Sequence, residues 1–197
     1  MSTANTQPSS AVRPAPQDGD PACRTLAALA DKLSSLTGPP TLTEINAWVR
    51  GVRPGRTELE PFIQFKETCY SRRRVVRAEH AELIVICWRP GQRTPIHDHA
   101  GSYGTVRVCE GVMWETIFEM DTARGLAYRT GREWLDGETT DGADIPDIHQ
   151  IGNPDISGRN LVTLHLYAPP LTSLNVYKVG RRESTSTLWM NSWNPTI

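Results

Sequence analysis

His97 and His99 are the residues of this chain best suited to hold a metal ion. They are two of five histidines and are separated by a single residue, Asp98. In an extended strand, residues i and i+2 project from the same face, so both imidazoles can enter one cavity while Asp98 points away and makes a poor third ligand. A neutral imidazole offers a nitrogen lone pair to iron or zinc. Taken alone, the H-x-H pair also fits two surface histidines in a loop, and its surroundings must decide.

Those surroundings are similar to a two-part motif. Gly91, His97-x-His99 and the later Gly111 resemble the first cupin motif in spacing, and His149 followed by Asn153 resembles the end of the second. Cupins are double-sheet barrels that carry such ligands on inward-facing strand positions. The resemblance adds His149 as the third ligand. Where the motif normally has a glutamate, this chain has Tyr103 and Gly104. Three neutral imidazoles then leave the metal its full positive charge, unlike the two-histidine, one-carboxylate iron sites. A thiolate is the natural guest of such a centre, because metal binding favours deprotonation of a thiol. Zinc with three histidines and a water is the rival arrangement, and it would be hydrolytic. Tyr103, beside the ligands, is a candidate pocket residue.

Residues 70–170 resemble the cysteine dioxygenase family of thiol dioxygenases. The segments YSRRRVV (70–76), ICWRPGQRTPIHDHAGS (86–102), IHQIGNP (148–154) and LVTLHLYAPPL (161–171) carry the likeness and cover about half of the chain. The resemblance implies a cupin fold, iron(II) at His97, His99 and His149, and addition of both atoms of O2 to a thiolate to give a sulfinate. It implies that Arg72, with Tyr70 two residues before it on the same strand face, holds the substrate carboxylate; a guanidinium fits that group bidentately. Thr163, His165 and Tyr167 lie at i, i+2 and i+4 and can form a hydrogen-bonded row along one strand face. The family has a serine-histidine-tyrosine row there, which implies that Tyr167 stands beside the iron and that His165 orients it. Trp88 also falls on a tryptophan of the family, in the core or the pocket. His80 matches nothing and is expected in a loop. Mammalian-type members carry a cysteine, thioether-linked to the tyrosine, at the position of Gly104. This chain therefore resembles the bacterial type, whose tyrosine is unmodified.

The elements that must position these residues follow from periodicity. Leu26, Leu29, Ala30, Leu33 and Leu36 recur at helical spacing between 22 and 36, and Gly38-Pro39-Pro40 stops the pattern. A second helix starts at Thr41 or Thr43, buries Leu42, Ile45, Trp48 and Val49, and ends at Gly51; residues 58–66 are expected to form a shorter third one. From 70 onward, short β-branched and aromatic runs at 70–77, 82–88, 103–110, 112–119, 126–130, 148–151, 160–167, 173–178 and 185–190 alternate with Gly, Pro and Asp. Nine strands without intervening helices imply an antiparallel sandwich or barrel. The expectation is a mainly β, cupin-type double-sheet barrel (jelly roll) over about 70–190 with two or three N-terminal helices over about 22–66. Residues 21–197 would form one domain behind a disordered leader, residues 1–20, rich in Ser, Pro, Ala and Gln.

The bulk chemistry excludes several classes. A net charge of −1 draws the chain to neither nucleic acid nor anionic lipid. The longest apolar run, residues 83–88, is too short to span a bilayer, and residues 1–17 contain no apolar stretch resembling a secretory signal. Cys23, Cys69, Cys87 and Cys109 form no C-x-x-C pair and read as reduced thiols, two of them in strands of the core. A cytoplasmic monomer acting on a small thiol and O2 is expected. L-Cysteine is favoured as substrate because relatives that use 3-mercaptopropionate tend to carry glutamine where this chain has Arg72. Dioxygenation of 3-mercaptopropionate or mercaptosuccinate, and a non-catalytic metal-binding cupin, are the alternatives.

Overall fold

The computed structural model describes residues 19–145 and 147–188. Three helices precede ten strands. Helix α1 (Leu26–Ser34) starts where the Thr25 hydroxyl accepts from the Ala28 N–H, and α2 (Leu42–Gly51) opens on a reciprocal capping box between Thr41 and Glu44. The third helix is shorter and earlier than expected: α3 (Arg56–Leu59) passes into a 3-10 turn, Glu60–Phe62, at Pro61. Of the expected leader, residues 1–18 lie outside the described residues, whereas the Asp20 N–H donates to Ala47 O of α2 at 2.9 Å.

Every strand pairing is antiparallel, in two sheets. One holds β1 (Ser71–Arg77), β2 (Glu82–Trp88), β8 (Leu161–Ala168) and β4 (Tyr103–Glu110), in that order. The other runs β10 (Thr185–Leu188), β9 (Ser173–Tyr177), β3 (Ile96–Asp98), β7 (Ile148–Gly152), β5 (Val112–Asp121) and β6 (Gly125–Leu135). Nine of these match the expected runs. The tenth, β3, carries His97 and is too short to show a period. The last expected strand continued to residue 190, and residues 189–190 lie outside the described ones.

All residues of β2 and β8 are buried, because both faces of these central strands are covered. Leu83, Val85, Cys87, Val162, Leu164 and Leu166 face outward under Leu29, Leu33, Ile45, Trp48 and Val49 of the helices. Their neighbours Ile84, Ile86, Trp88 and Tyr167 face the barrel interior, with Val106, Met113 and Trp134. Each fully buried leucine contributes about 1.5–3 kcal/mol. Inward-pointing polar residues of β8 are thus held on a strand anchored from behind. No helix among the described residues is long and apolar enough to cross a membrane.

Candidate metal centre

The three histidines meet between the sheets. In the β3–β7 ladder His97 pairs directly with His149. His99 follows β3, where Ala100 takes a positive φ of 48° and turns the chain. The Asp98 carboxylate accepts the Ala100 N–H at 2.7 Å and so holds that turn. On the opposite side from the histidines Asp98 also accepts from Asn175 Nδ2 (2.9 Å) and Tyr177 Oη (2.5 Å) of β9. Asp98 is therefore a clamp and not a ligand.

His97, His99 and His149 are buried, and their ligand atoms lie within 4.8 Å of one another. Among the described residues they are the one such cluster. The Pro95 carbonyl can only accept, so it takes the proton of His97 Nδ1 at 3.0 Å and leaves Nε2 with its lone pair. Glu115 Oε1 does the same for His149 Nδ1 at 2.9 Å. His99 Nε2 lies 3.4 Å from His149 Nε2. Two nitrogens about 2.1 Å from one ion stand about 3.0–3.4 Å apart, so this spacing fits a bound divalent cation. Burial, reinforced by His149, pushes the His97 imidazole down to about 3 and that of His99 well below its ordinary value, which keeps both neutral as ligands must be. The residues fit a first-row transition metal.

The second set lies alongside. Thr163, His165 and Tyr167 form the expected row on β8: Thr163 Oγ1 is 2.7 Å from His165 Nε2, and His165 Nδ1 is 3.1 Å from Tyr167 Oη. Trp88 extends it, its indole N–H donating to Thr163 Oγ1 at 2.8 Å. An indole only donates, so the Thr163 proton turns to His165 Nε2 in preference to Ile86 O at 3.4 Å. His165 Nδ1–H then donates to Tyr167 Oη. Burial lowers His165 to about 3 and raises the Tyr167 hydroxyl, so both stay neutral. The Tyr167 ring packs edge-on against His99, centroids 5.2 Å apart.

Arg72 lies directly opposite Ile86 in the β1–β2 ladder and therefore shares its inward face, whereas Arg73 opposite Val85 is on the outer one. The Arg72 guanidinium is 5.9 Å from the Tyr70 ring centroid, and that ring stacks on Trp88 at 4.4 Å. Tyr70 Oη is buried with no hydrogen-bond partner among the described residues. Burial pushes it up to about 12, and the charge of Arg72 acts in the opposite direction. Both Tyr70 and Arg72 lie within electrostatic reach of Tyr167.

The rest of the sequence reading is sorted by strand alternation. Gly104 faces the ligands: a Cβ there would stand 2.7 Å from His99 Cε1 and 3.2 Å from Tyr167 Cε1. Tyr103, one residue earlier, packs instead on the helix-side cluster, which corrects the expectation of a pocket residue. His80 lies in the bend between β1 and β2. Sequence reasoning missed Glu115, buried on β5, whose second oxygen accepts from Trp134 Nε1 at 2.9 Å. Burial alone would raise its carboxyl, but the hydrogen bonds from His149 and Trp134 hold it below its usual value. The signal was faint: Glu115 is an acidic residue two positions after the buried Met113 on the same strand face.

The sequence profile of the family described as cysteine dioxygenase type I matches residues 24–180. The chain is 24% identical to human cysteine dioxygenase type 1 over 137 residues, 68% of either chain, and 26% identical to that of Danio rerio over 68% of this chain and 67% of the relative. The Bos taurus protein of the same name is 24% identical over 78% of this chain and 79% of its own. Among solved structures, TT1209 from Thermus thermophilus aligns with a TM-score of 0.48 at 19% identity, over 57% of this chain and 94% of that one. A protein with a double-stranded β-helix domain from Klebsiella pneumoniae aligns at 0.44 and 15% identity, over 65% and 92%.

Proposed function

The chain belongs to the cysteine dioxygenase type I family, and from that premise we propose that it converts L-cysteine and O2 to cysteine sulfinate with iron(II) at His97, His99 and His149. The observation that carries the reading is the buried Tyr70 hydroxyl, without a partner among the described residues, beside the inward-facing Arg72 and within electrostatic reach of Tyr167, whose ring packs on His99. A buried polar atom without a partner costs about 1–3 kcal/mol, which a bound carboxylate relieves.

Iron(II), when bound, supplies the redox chemistry between O2 and the thiolate sulfur. The thiolate provides the electrons, so no external reductant enters. Arg72 and Tyr70 hold the substrate carboxylate, which fixes the distance from that group to the sulfur and orients the amino acid. Tyr167 presents a protonated hydroxyl to the reacting atoms. His165, Thr163 and Trp88 fix the direction of that hydroxyl through the row of hydrogen bonds. The enclosing barrel residues Ile84, Ile86 and Val106 exclude water. With Gly104 in place no thioether to Tyr167 forms, so the tyrosine acts unmodified. Four unpaired cysteines suit a reducing compartment, and we place the reaction in the cytoplasm; every residue invoked belongs to one chain, so a monomer suffices.

Oxygen uptake and sulfinate formation by the iron-loaded chain, measured with L-cysteine, 3-mercaptopropionate and mercaptosuccinate, test the proposal. Cysteine should give the highest kcat/KM, and His97→Ala should give no product. Arg72→Gln should lower kcat/KM for cysteine about 10–100-fold, the worth of a charged hydrogen-bonded contact of about 1.5–3 kcal/mol. A preference for 3-mercaptopropionate would overturn the substrate, and zinc with no oxygen uptake would overturn the chemistry.

A further inference from the structure

Glu115 has a job that the ligand set does not explain. In the β5–β7 ladder Ile117 is directly opposite His149, so Glu115, two residues away on the same face, is its diagonal neighbour. Trp134 stands in the same relation on the far side, since Met113 pairs with it in the β5–β6 ladder. A row thus crosses three strands: His149, Glu115, Trp134, joined by two hydrogen bonds of 2.9 Å. Glu115 is 8% exposed, and the two groups that donate to its carboxylate are His149 Nδ1–H and Trp134 Nε1–H. The guanidinium of Arg132, opposite Glu115 in the ladder, is half exposed and paired with Asp141 at 2.8 Å.

A buried carboxylate is costly unless positive charge stands close, and Arg132 acts on it from the half-exposed side of the sheet. The other nitrogen of His149 faces the place where a metal cation fits. We propose that Glu115 is a positioning and charge-compensating residue of the metal centre, supplying through His149 the negative charge that the chain lacks at Tyr103 and Gly104. Held at one remove, the carboxylate fixes the His149 tautomer and makes its Nε2 a stronger donor, yet occupies no coordination position. The open positions remain available to a chelating substrate. Trp134 fixes the carboxylate and, by taking part of its charge, limits how strongly it draws on the His149 proton. The inference rests on the metal-centre reading and extends it.

The full chain, Glu115→Gln and Trp134→Phe are to be compared in two measurements without thiol. One is Fe(II) affinity by anaerobic competition with a chromophoric chelator, repeated with Zn(II). The other is the Fe(III)/Fe(II) midpoint potential. Glu115→Gln keeps the shape and removes the charge; it should bind either metal about 10–100-fold more weakly. Negative charge favours Fe(III), so its potential should rise. Trp134→Phe keeps the charge and removes a competing donor, so its potential should fall. A Glu115→Gln chain with wild-type affinity and potential, whatever its melting temperature, would reduce Glu115 to a structural residue. If that variant does not fold, Trp134→Phe decides, and an unmoved or raised potential overturns the inference. Failure of the wild-type chain to take up iron strikes the iron reading instead, and the Zn(II) affinities still test Glu115.

Discussion

At the scale of single residues, the site is built by removing charge from histidines. His165 takes up no second proton in the folded chain until the pH nears 3, because burial disfavours the imidazolium; an unfolded imidazole takes it up near 6.5. The unfolded chain therefore binds the extra proton in that window. Stability is full above about pH 6.5 and is lost as the pH falls towards 3, at about 1.4 kcal/mol per pH unit for each such histidine. Urea unfolding of the metal-free protein at pH 7, 6 and 5 should show the midpoint falling steadily, and His165→Gln should flatten the slope by about one histidine's share. A midpoint independent of pH over that range would contradict a neutral buried His165. His97 and His99 were legible in the sequence because their spacing is local and histidines are scarce, whereas His149 and the row on β8 were legible only through the family resemblance. Glu115 and Asp98 were not legible as partners, since the groups they hold are 34 and 77 residues away. Only strand pairing brings such residues together.

At the scale of elements, the weak point is β3, three residues long between β7 and β9. Its backbone ladder is too short to fix His97 and His99 unaided. The Asp98 carboxylate, accepting from Asn175, Tyr177 and the Ala100 N–H, adds the side-chain seam that does so. Removing this buried carboxylate leaves three part-buried donors without their acceptor, so Asp98→Ala should cost about 1–3 kcal/mol of stability and also loosen metal binding. Chemical denaturation with and without Zn(II) reads both effects. Unchanged values would mean that the ladder alone holds the strand. The same shortness explains why β3 escaped the strand reading, while β2, with its unbroken apolar run, was located to the residue. The third helix was misplaced because the α-helix ends at Leu59 and a 3-10 turn, Glu60–Phe62, replaces it, after which the partly buried Ile63 and Phe65 pack with Phe62 against the cluster shared by helices and sheet.

At the scale of the whole molecule, one core serves both the helices and the barrel. Leu29 and Leu33 of α1 and Ile45 and Val49 of α2 share a cluster with the outward residues of β2 and β8. On β8, Val162, Leu164 and Leu166 lie under the helices, while Thr163, His165 and Tyr167 alternate with them and face the metal centre. A strand cannot shift one face without shifting the other, because successive side chains share one pleated backbone. The helical segment is therefore proposed to be part of one cooperative unit and not a detachable prelude. Leu29→Ala leaves a cavity far in sequence from every metal ligand, and should cost about 2–5 kcal/mol. It should lower the melting temperature of a single transition whose calorimetric and van't Hoff enthalpies agree. Helix ellipticity, Trp88 fluorescence environment and oxygen uptake should then be lost along one curve. A first transition that removes helix but leaves the metal centre able to bind Zn(II) would show the helices to be a separate unit. The positioning of Tyr167 would then have to be ascribed to the two sheets alone.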